Sequence, residues 1–314
     1  MIIIYHCFGG AHSSVMAAAI HLGLVTDTAN LRNQDVLNLP YFDMQDEDEV
    51  GSIRFVGCDA AGNGVFIMGR SNQSAVTRTA LRSCADLLGI GEECFCMTDA
   101  LPYVNPLMIM GGYLSRRLRL VGCGKQIAAL GTRLAVPALR YAVKQTRQRI
   151  LNAGMRTNSR MTANRVYLYH SGGRYNIAVC AAHAASIGSE PRLDSVRSLN
   201  LAHKVFGQNP GEAQLVALPA ADCVALAVAL GRANRFLPRT IKMLLEICGI
   251  HPSKVYTCDV SNLGSIHLWL AGACFRLGFV GLAESLLCRI LRAQRAELAT
   301  IGMAHKAFCA ELDP

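Results

Sequence analysis

The hydrophobic pattern at the start of the chain predicts a strand, a glycine turn and a helix. Residues 2–4 are three consecutive isoleucines, a run that is typical of a strand covered on both faces of a mostly parallel sheet. The run leads through Gly9 and Gly10, which allow a sharp bend, into an alanine-rich segment that ends near Gly23. We therefore expect a strand-turn-helix unit over residues 1–23.

Strand and helix patterns continue to alternate up to residue 151. Residues 52–58 and 65–68 alternate around Asn63-Gly64, which is a strong signal for a hairpin. The remaining predicted elements are a helix over 73–88, a strand over 94–97, a helix from 106 to about 117, a strand over 126–130 and a helix over 137–151. This alternation is typical of an α/β fold, with helices packed on a mostly parallel sheet.

The second half of the chain repeats the order of the first. Tyr5-His6 recurs as Tyr169-His170. Other pairs with matching spacing are Gly69-Arg70 with Gly231-Arg232, Asp99 with Asp259, and Gly112 with Gly272. A repeat of this length indicates a tandem duplication. We predict two three-layer, Rossmann-like α/β domains with mostly parallel sheets of about five strands, over residues 1–151 and 165–314, joined by a linker over 152–164.

The composition indicates a folded protein without a membrane span. Of the 314 residues, 52% are hydrophobic and 17% are charged, which argues against disorder. The most apolar stretches contain acidic residues and are shorter than the ~20 residues that a span requires. No basic segment precedes the first apolar run, so a secretory signal is not predicted and we expect a cytoplasmic protein. The 13 cysteines are scattered in apolar segments, as expected for small buried hydrophobic residues.

The charge is unevenly distributed along the sequence. The formal net charge is +9, and no acidic residue lies between Asp99 and Glu190, where Lys and Arg are frequent. This stretch is either a surface for phosphates or nucleic acid, or a set of cations that complement a helix end and cover the linker. Acidic residues concentrate in residues 43–49, which we expect to form a solvent-exposed loop.

The first half resembles a known family through several motifs in the same order. These motifs are YHCFGGAHSSVMAAAIHLG, LPYFD, GNGVFIMGR and VNPLMIMGGYLSRRLRLVGCGKQIAALGTR. They are similar to an uncharacterised family of bacterial proteins of about 150 residues, common in spore-forming Firmicutes and known as a domain of unknown function. The resemblance covers residues 1–151 and implies no activity, cofactor or site. The second half has diverged from it: Asn176-Ile177-Ala178 replaces His12-Ser13-Ser14, and the Gly-Asn-Gly turn is absent.

The glycine turn is the leading candidate for a binding site. A helix that begins after a glycine turn at the end of a parallel strand presents free N–H groups and a positive dipole to anions. We expect Gly9, Gly10, Ser13 and Ser14 to bind an anion, and His12 either to donate a hydrogen bond to that anion or to act as a general acid. The alternative is that the serines only cap the helix while His12 lies in solvent. The spacing does not match the phosphate-loop consensus, which requires a lysine near this position.

Three other polar residues recur at strand ends and are weaker candidates. Asp99 would lie at the same sheet edge as the turn, where it could accept a proton, hold Mg²⁺ or cap a helix. Arg70 could bind an anion or brace a turn, and His6 is expected to be structural. Residues whose position could add positive potential or polar contacts at this edge are Asn105, Arg116, Arg117, Lys125 and Arg133.

Two functions fit these observations. The first is a soluble protein that binds a phosphorylated small molecule or a nucleotide at the turn, with His12 and Asp99 as catalytic residues if it is an enzyme. The second is a non-catalytic binding or scaffold protein whose basic surface contacts nucleic acid or an acidic partner. The residues assign no metal site, cofactor or oligomeric state, and they indicate no membrane partner.

Overall fold

The computed structural model describes residues 1–26, 30–45, 47–91, 94–153, 165–187, 193–216, 223–264 and 266–310. By their contacts the residues divide into two compact units. The first unit contains residues 1–74 and 90–160, and the second contains residues 75–89 and 161–314. The predicted linker at 152–164 lies outside the described residues except for its first two positions, which continue a helix. The predicted domain boundaries therefore remain a prediction.

The first unit is built on a four-stranded sheet, one strand fewer than predicted. Its strands are β1 (Ile2–Cys7), β2 (Ile53–Cys58), β3 (Gly64–Gly69) and β4 (Phe95–Asp99). The spatial order is β2-β3-β1-β4, with β1 parallel to both neighbours and β2 antiparallel to β3. The mostly parallel sheet and the hairpin at Asn63-Gly64 are thus confirmed.

Six α-helices lie in the described part of the first half of the sequence. They are α1 (Ser13–His21), α2 (Asn33–Leu37), α3 (Ser74–Leu87), α4 (Pro106–Arg116), α5 (Val121–Leu134) and α6 (Val136–Ala153). Contacts place α3 in the second unit, where Ser83 Oγ donates a hydrogen bond to the Gly211 carbonyl at 3.0 Å. The other five helices belong to the first unit.

The predicted strand over 126–130 is wrong, because this segment lies within α5. A short apolar run does not distinguish a strand from a buried helix, and here small residues decide the outcome. Gly124, Ala128 and Ala129 face the core, and a Cβ on Gly111 of α4 would collide with the Ala128 backbone. The two helices therefore approach so closely that only small side chains fit between them.

The core of the first unit packs one face of β1 against α1. Alternate β1 residues Ile3, Tyr5 and Cys7 belong to the same buried cluster as the helix residues Val15 and Ala18. The polar end of Tyr5 is satisfied inside this core, because its hydroxyl lies 2.7 Å from His21 Nδ1. This packing fixes the end of β1 and the start of α1, which together frame the glycine turn.

The second unit has a sheet of the same strand order. Its strands are β5 (Arg165–Ser171), β6 (Ala213–Val216), β7 (Cys223–Ala229) and β8 (Val255–Asp259), ordered β6-β7-β5-β8. Its further helices are α7 (Ala178–Ile187), α8 (Leu193–Ser198), α9 (Leu201–Phe206), α10 (Leu237–Ile247), α11 (Ile266–Arg276), α12 (Val280–Ala293) and α13 (Arg295–Ala310). Again β5 is parallel to β7 and β8, and β6 is antiparallel to β7.

Strand register corrects one of the correspondences between the halves. Asp99 pairs with His6 and Asp259 with His170, in agreement with the sequence repeat. Gly69, however, lies beside Cys7, and the residue that lies beside Ser171 in the second sheet is Ala229 rather than Gly231. The predicted equivalence of Gly69-Arg70 with Gly231-Arg232 is therefore wrong by two residues.

Candidate functional site

The turn between β1 and α1 is held in a conformation that requires glycine. Gly10 has a φ of +72°, and a Cβ at this position would lie 2.5 Å from the Gly69 backbone nitrogen and would also collide with the Gln45 side chain. A larger residue would therefore be strained by both its dihedral angle and its neighbours. The turn is consequently packed tightly against the start of the loop after β3.

The backbone N–H groups at the start of α1 belong mostly to buried residues and lack an acceptor in the described part of the chain; we call such N–H groups open. No residue in the described ranges accepts a hydrogen bond from the N–H of Ala11, His12, Ser13 or Ser14. His12 occupies the N-cap position, but its side chain makes no capping hydrogen bond. The side chain of Ser13 is fully buried, and its Oγ has no hydrogen-bond partner among the described residues. Free N–H groups at a helix start favour the binding of an anion.

Cys7 ends β1 with its sulfur inside the turn. The Gly10 N–H donates to Cys7 Sγ at 3.1 Å, and Ser14 Oγ lies 3.3 Å from the same sulfur. Sequence reasoning missed this residue because it treated the cysteines as buried hydrophobic residues. The available signal was its spacing: a cysteine at a strand end, followed by glycine after three residues and serine after seven, with Ser171 at the matching position of the second half.

His12 lies beside the turn in a buried polar contact rather than in bulk water. Its Nε2 lies 3.0 Å from Asp43 Oδ1, and its ring packs on Phe42 at 5.2 Å between centroids. The Asp43 side chain is only 1% exposed, and Ser115 Oγ donates to its second oxygen at 2.8 Å. Burial raises the pKa of Asp43, but the hydrogen bonds from His12 and Ser115 outweigh it and the pKa lies below its ordinary value. The expectation that residues 43–49 are all solvent-exposed is wrong at Asp43.

Arg116 places a positive charge over the turn. Its Nη1 would lie 3.1 Å from a Cβ on Gly9, and its Nη2 lies 3.6 Å from Asp43 Oδ1. This Nη2 is buried and has no hydrogen-bond partner among the described residues. Arg116 comes from the end of α4, and it was named from sequence only as one of several cations that could lie at this edge.

His6, Arg70 and Asp99 form a separate cluster at the same sheet edge. Arg70 is 2% exposed and donates from Nη2 to both carboxylate oxygens of Asp99, at 2.8 and 2.9 Å. Its Nε donates to His6 Nδ1 at 3.0 Å and its Nη1 to the Ser71 carbonyl at 3.0 Å. Arg70, which directly follows β3, thus forms hydrogen bonds with residues at the ends of β1 and β4.

Asp99 is engaged in this cluster from two sides. In addition to Arg70, the Leu101 N–H donates to its Oδ1 at 2.9 Å. Burial raises the pKa of Asp99, but the Leu101 hydrogen bond and the adjacent His6 and Arg70 outweigh this effect, so the pKa lies below its ordinary value. The partners of Asp99 and those of His12 are different residues, so the structure does not bring the two predicted catalytic residues together in one contact.

The corresponding turn of the second unit is closed. The Gly172 N–H donates to Ser261 Oγ at 2.8 Å, and the N–H groups of Asn176 and Ile177 donate to the carbonyls of Val205 and Tyr175. The Tyr175 ring occupies the space beside Gly272. Two of the four N–H groups that lack acceptors in the first unit, those of His12 and Ser13, therefore have counterparts with partners in the second.

The described part of the chain contains no helix long and apolar enough to cross a membrane. In the same ranges, no group of three or more His, Cys, Asp or Glu side chains is arranged to hold a metal ion.

Comparison with known proteins gives one family. The model of a family described as "Protein of unknown function (DUF3189)" matches residues 2–148. No curated protein matches the chain, and no solved structure matches it. The family match contains the turn, Cys7, His12, Asp43 and Arg116. Residues 2–148, and with them the candidate site, are therefore similar to a family whose function is unknown.

Proposed function

We propose that the turn between β1 and α1 of the first unit binds a phosphate-type oxyanion that is part of a phosphorylated small molecule or a nucleotide. The observation that carries this proposal is the set of open N–H groups from Ala11 to Ser14, at a helix start and without an acceptor in the described residues. Donors without an acceptor at the start of a helix can bind the oxygens of a tetrahedral anion, and the helix dipole adds favourable potential.

Arg116 supplies the countercharge in this proposal. Its guanidinium lies against Gly9, and its Nη2 has no hydrogen-bond partner among the described residues although it is buried. An unused donor in that position gains a partner when an anion enters the turn. Asp43 then keeps Arg116 and His12 in place, since its two oxygens contact His12, Ser115 and Arg116.

Arg70 and Asp99 have a supporting role in this proposal rather than a binding or catalytic one. Arg70 already donates to Asp99, His6 and Ser71. An anion at Arg70 would have to displace the carboxylate of Asp99 from a pair that is largely buried, which is unfavourable. The pair instead fixes the sheet edge from which the turn departs.

Calorimetric titration with inorganic phosphate tests the proposal. Loss of one hydrogen bond to a charged group costs about 1.5–3 kcal/mol, so Arg116→Met should weaken binding by roughly 10- to 100-fold. Arg149→Met is the matched control, since Arg149 is an exposed arginine of α6 outside the site. Wild-type protein that releases no binding heat, or an Arg116→Met variant that binds as tightly as Arg149→Met, would contradict the proposal.

A basic face on α6 supports a second candidate function, the binding of nucleic acid. Arg140, Lys144 and Arg147 are exposed and spaced so that they share one helix face. No acidic residue occurs in α6. Affinity for a short DNA duplex should then fall steeply as the salt concentration rises. Removal of the charges at Arg140 and Lys144 should reduce the slope of log affinity against log salt concentration by about 1 for each phosphate that the variant no longer neutralises. Binding that is independent of salt would exclude this function.

We propose further that the two units are three-layer, Rossmann-like domains that arose by tandem duplication, and that only the first retains the anion site. The common strand order supports the duplication. The closed turn of the second unit supports the loss of binding there.

A further inference from the structure

We infer that Cys7 is a nucleophile for phosphoryl transfer, and that the first unit hydrolyses phosphate monoesters through a phosphocysteine intermediate. This inference rests on the proposed anion site and deepens it, because it names the reaction that occurs there. Three features of the turn support it: the position of the sulfur relative to the open N–H groups, a buried hydroxyl without a partner, and the charges beside the turn.

The sulfur of Cys7 lies in the same turn as the N–H groups proposed to bind the anion. Cys7 ends the strand, and the turn returns to it: the Gly10 N–H donates to Sγ at 3.1 Å and Ser14 Oγ lies 3.3 Å away. An anion held by the N–H groups from Ala11 to Ser14 is therefore held by the same short loop as the sulfur. Cys7 lies at the end of β1, six residues before α1, and its sulfur accepts a hydrogen bond from the Gly10 N–H. A cysteine sulfur beside a bound phosphoryl group can act as a covalent nucleophile.

Ser13 provides independent support for a ligand at this position. Its side chain is fully buried at the first position of α1, and no described residue pairs with its Oγ. A buried hydroxyl without a partner costs roughly as much as a lost hydrogen bond, and an acceptor that binds in the turn would remove this cost. Arg116 Nη2 is a second buried donor beside the turn that has no hydrogen-bond partner in the described ranges.

Two other buried cysteines, both within helices, lack this environment. Burial raises the pKa of Cys84 and Cys180 to about 12 each, and both lie inside helices, in α3 and α7. In the second unit the position of Cys7 is taken by Ser171, and there the turn is closed. The cysteine and the open turn thus occur together in one unit and are both missing from the other.

The reaction balances with water as the only co-reactant. In the first step the Cys7 thiolate attacks phosphorus, an S–P bond forms, the P–O ester bond breaks, and the leaving oxygen takes a proton to become an alcohol. In the second step water attacks phosphorus, an O–P bond forms, the S–P bond breaks, and the electron pair returns to sulfur while one proton is released. The net reaction converts a phosphate monoester and water into an alcohol and inorganic phosphate.

His12 is the group placed to carry the proton. Its protonated imidazole donates to the leaving oxygen in the first step, and the neutral imidazole takes the proton from water in the second. Asp43 holds the ring through Nε2 at 3.0 Å, so Nδ1 is the nitrogen left to exchange the proton. Arg116 and the N–H groups of the turn stabilise the charge on the transferring phosphoryl group.

The test measures hydrolysis of p-nitrophenyl phosphate together with trapping of the intermediate. We expect wild-type protein to release p-nitrophenol, and acid quenching followed by peptide mass spectrometry to find one phosphoryl group on Cys7. Cys7→Ser should reduce hydrolysis to the rate of buffer alone while it still binds inorganic phosphate. Cys123→Ser, which changes an exposed cysteine of α5, is the matched control and should hydrolyse the probe at the wild-type rate.

The outcomes separate this inference from the proposed function. Wild-type protein that binds phosphate but neither hydrolyses the probe nor forms phosphocysteine overturns the inference and leaves the anion site intact. Protein that does not bind phosphate fails the proposed function itself. Hydrolysis by Cys7→Ser at the wild-type rate also overturns the inference. If this variant does not fold, the trapping experiment on wild-type protein decides alone, since it requires no substitution.

Discussion

Two glycine-to-alanine substitutions with the same backbone dihedral angle test how tightly the turn is built. Gly10 and Gly23 both have a φ of +72°. A Cβ on Gly23 would have no heavy atom within 4 Å, whereas one on Gly10 would lie 2.5 Å from the Gly69 nitrogen and 2.9 Å from its Cα. The conformational strain of an L-residue is therefore common to both variants, and the collision occurs only at Gly10.

The expected free energies follow from these contacts. A left-handed conformation costs an L-residue about 1–2 kcal/mol, and this is the full effect expected for Gly23→Ala. Forcing a methyl group into a packed site adds about 1–3 kcal/mol, because the backbone of Gly69 belongs to β3 and cannot rotate away as a side chain could. Gly10→Ala should therefore lower the free energy of unfolding by about 2–5 kcal/mol.

Urea unfolding followed by far-UV circular dichroism measures this difference. Gly10→Ala should shift the midpoint well below that of Gly23→Ala, and calorimetry should find weaker phosphate binding only for Gly10→Ala. Equal midpoints for the two variants would refute the reasoning, since the collision with Gly69 would then have no energetic effect. Unchanged phosphate affinity in Gly10→Ala would show that the shape of the turn does not matter for binding.

Two further predictions concern the buried charges. Asp99→Asn leaves the Arg70 guanidinium, which is 2% exposed, without its countercharge. Because the Asp99 carboxylate is 33% exposed and water screens the pair, urea unfolding should show a free energy of unfolding that is lower by about 2–3 kcal/mol. Asp259→Asn, at the same register position but 52% exposed, should cost less than about 1 kcal/mol, and equal losses would contradict a bracing role for Arg70. Burial, aided by Lys204, lowers the pKa of His183 from 6.5 to about 4. Unfolding between these pH values therefore takes up a proton, and the free energy of unfolding falls as the pH drops from 6.5 towards 4. His183→Gln should reduce this fall, and a pH dependence of the urea midpoint that the substitution leaves unchanged would contradict the prediction.

Local patterns predicted the fold well where short-range interactions decide it. The isoleucine run, the glycine turn and the alanine-rich helix are neighbours in sequence. The hairpin likewise depends on a short segment between Asp59 and Asn63, in which Gly62 has a φ of +80°, and Gly64 already belongs to β3. The strand predicted over 126–130 was wrong because long-range packing decides the structure of that segment. Whether that apolar run becomes a helix depends on how closely α4 and α5 approach, which is a property of the folded unit.

The candidate site was predicted only in its local part. The turn could be located from Gly9 and Gly10, but the residues that surround it in space lie far from it in the sequence. Asp43 comes from a segment that its acidic composition marked as exposed, and Arg116 is one of many cations in an acid-free stretch. Cys7 was local and was still missed, because its spacing to Gly10 and Ser14 was not considered when the cysteines were interpreted as buried hydrophobic residues.

The correspondence between the halves was informative where strand pairing fixed it. Asp99 and Asp259 occupy the same register position, but the link from histidine to aspartate is made by Arg70 in one unit and by Asn234 in the other. Asn234 lies two residues after the arginine that the sequence repeat had matched to Arg70. The same link is thus made in space by a different residue, which sequence spacing alone does not reveal.

A crystal structure grown with tungstate, a heavy-atom analogue of phosphate, tests the central claim most directly. We expect anomalous density within hydrogen-bonding distance of the N–H groups from Ala11 to Ser14, with Arg116 in contact, and no density at the closed turn around Gly172. Absence of density at the first turn, or equal density at both, would contradict the claim that the open N–H groups of the first unit form an anion site.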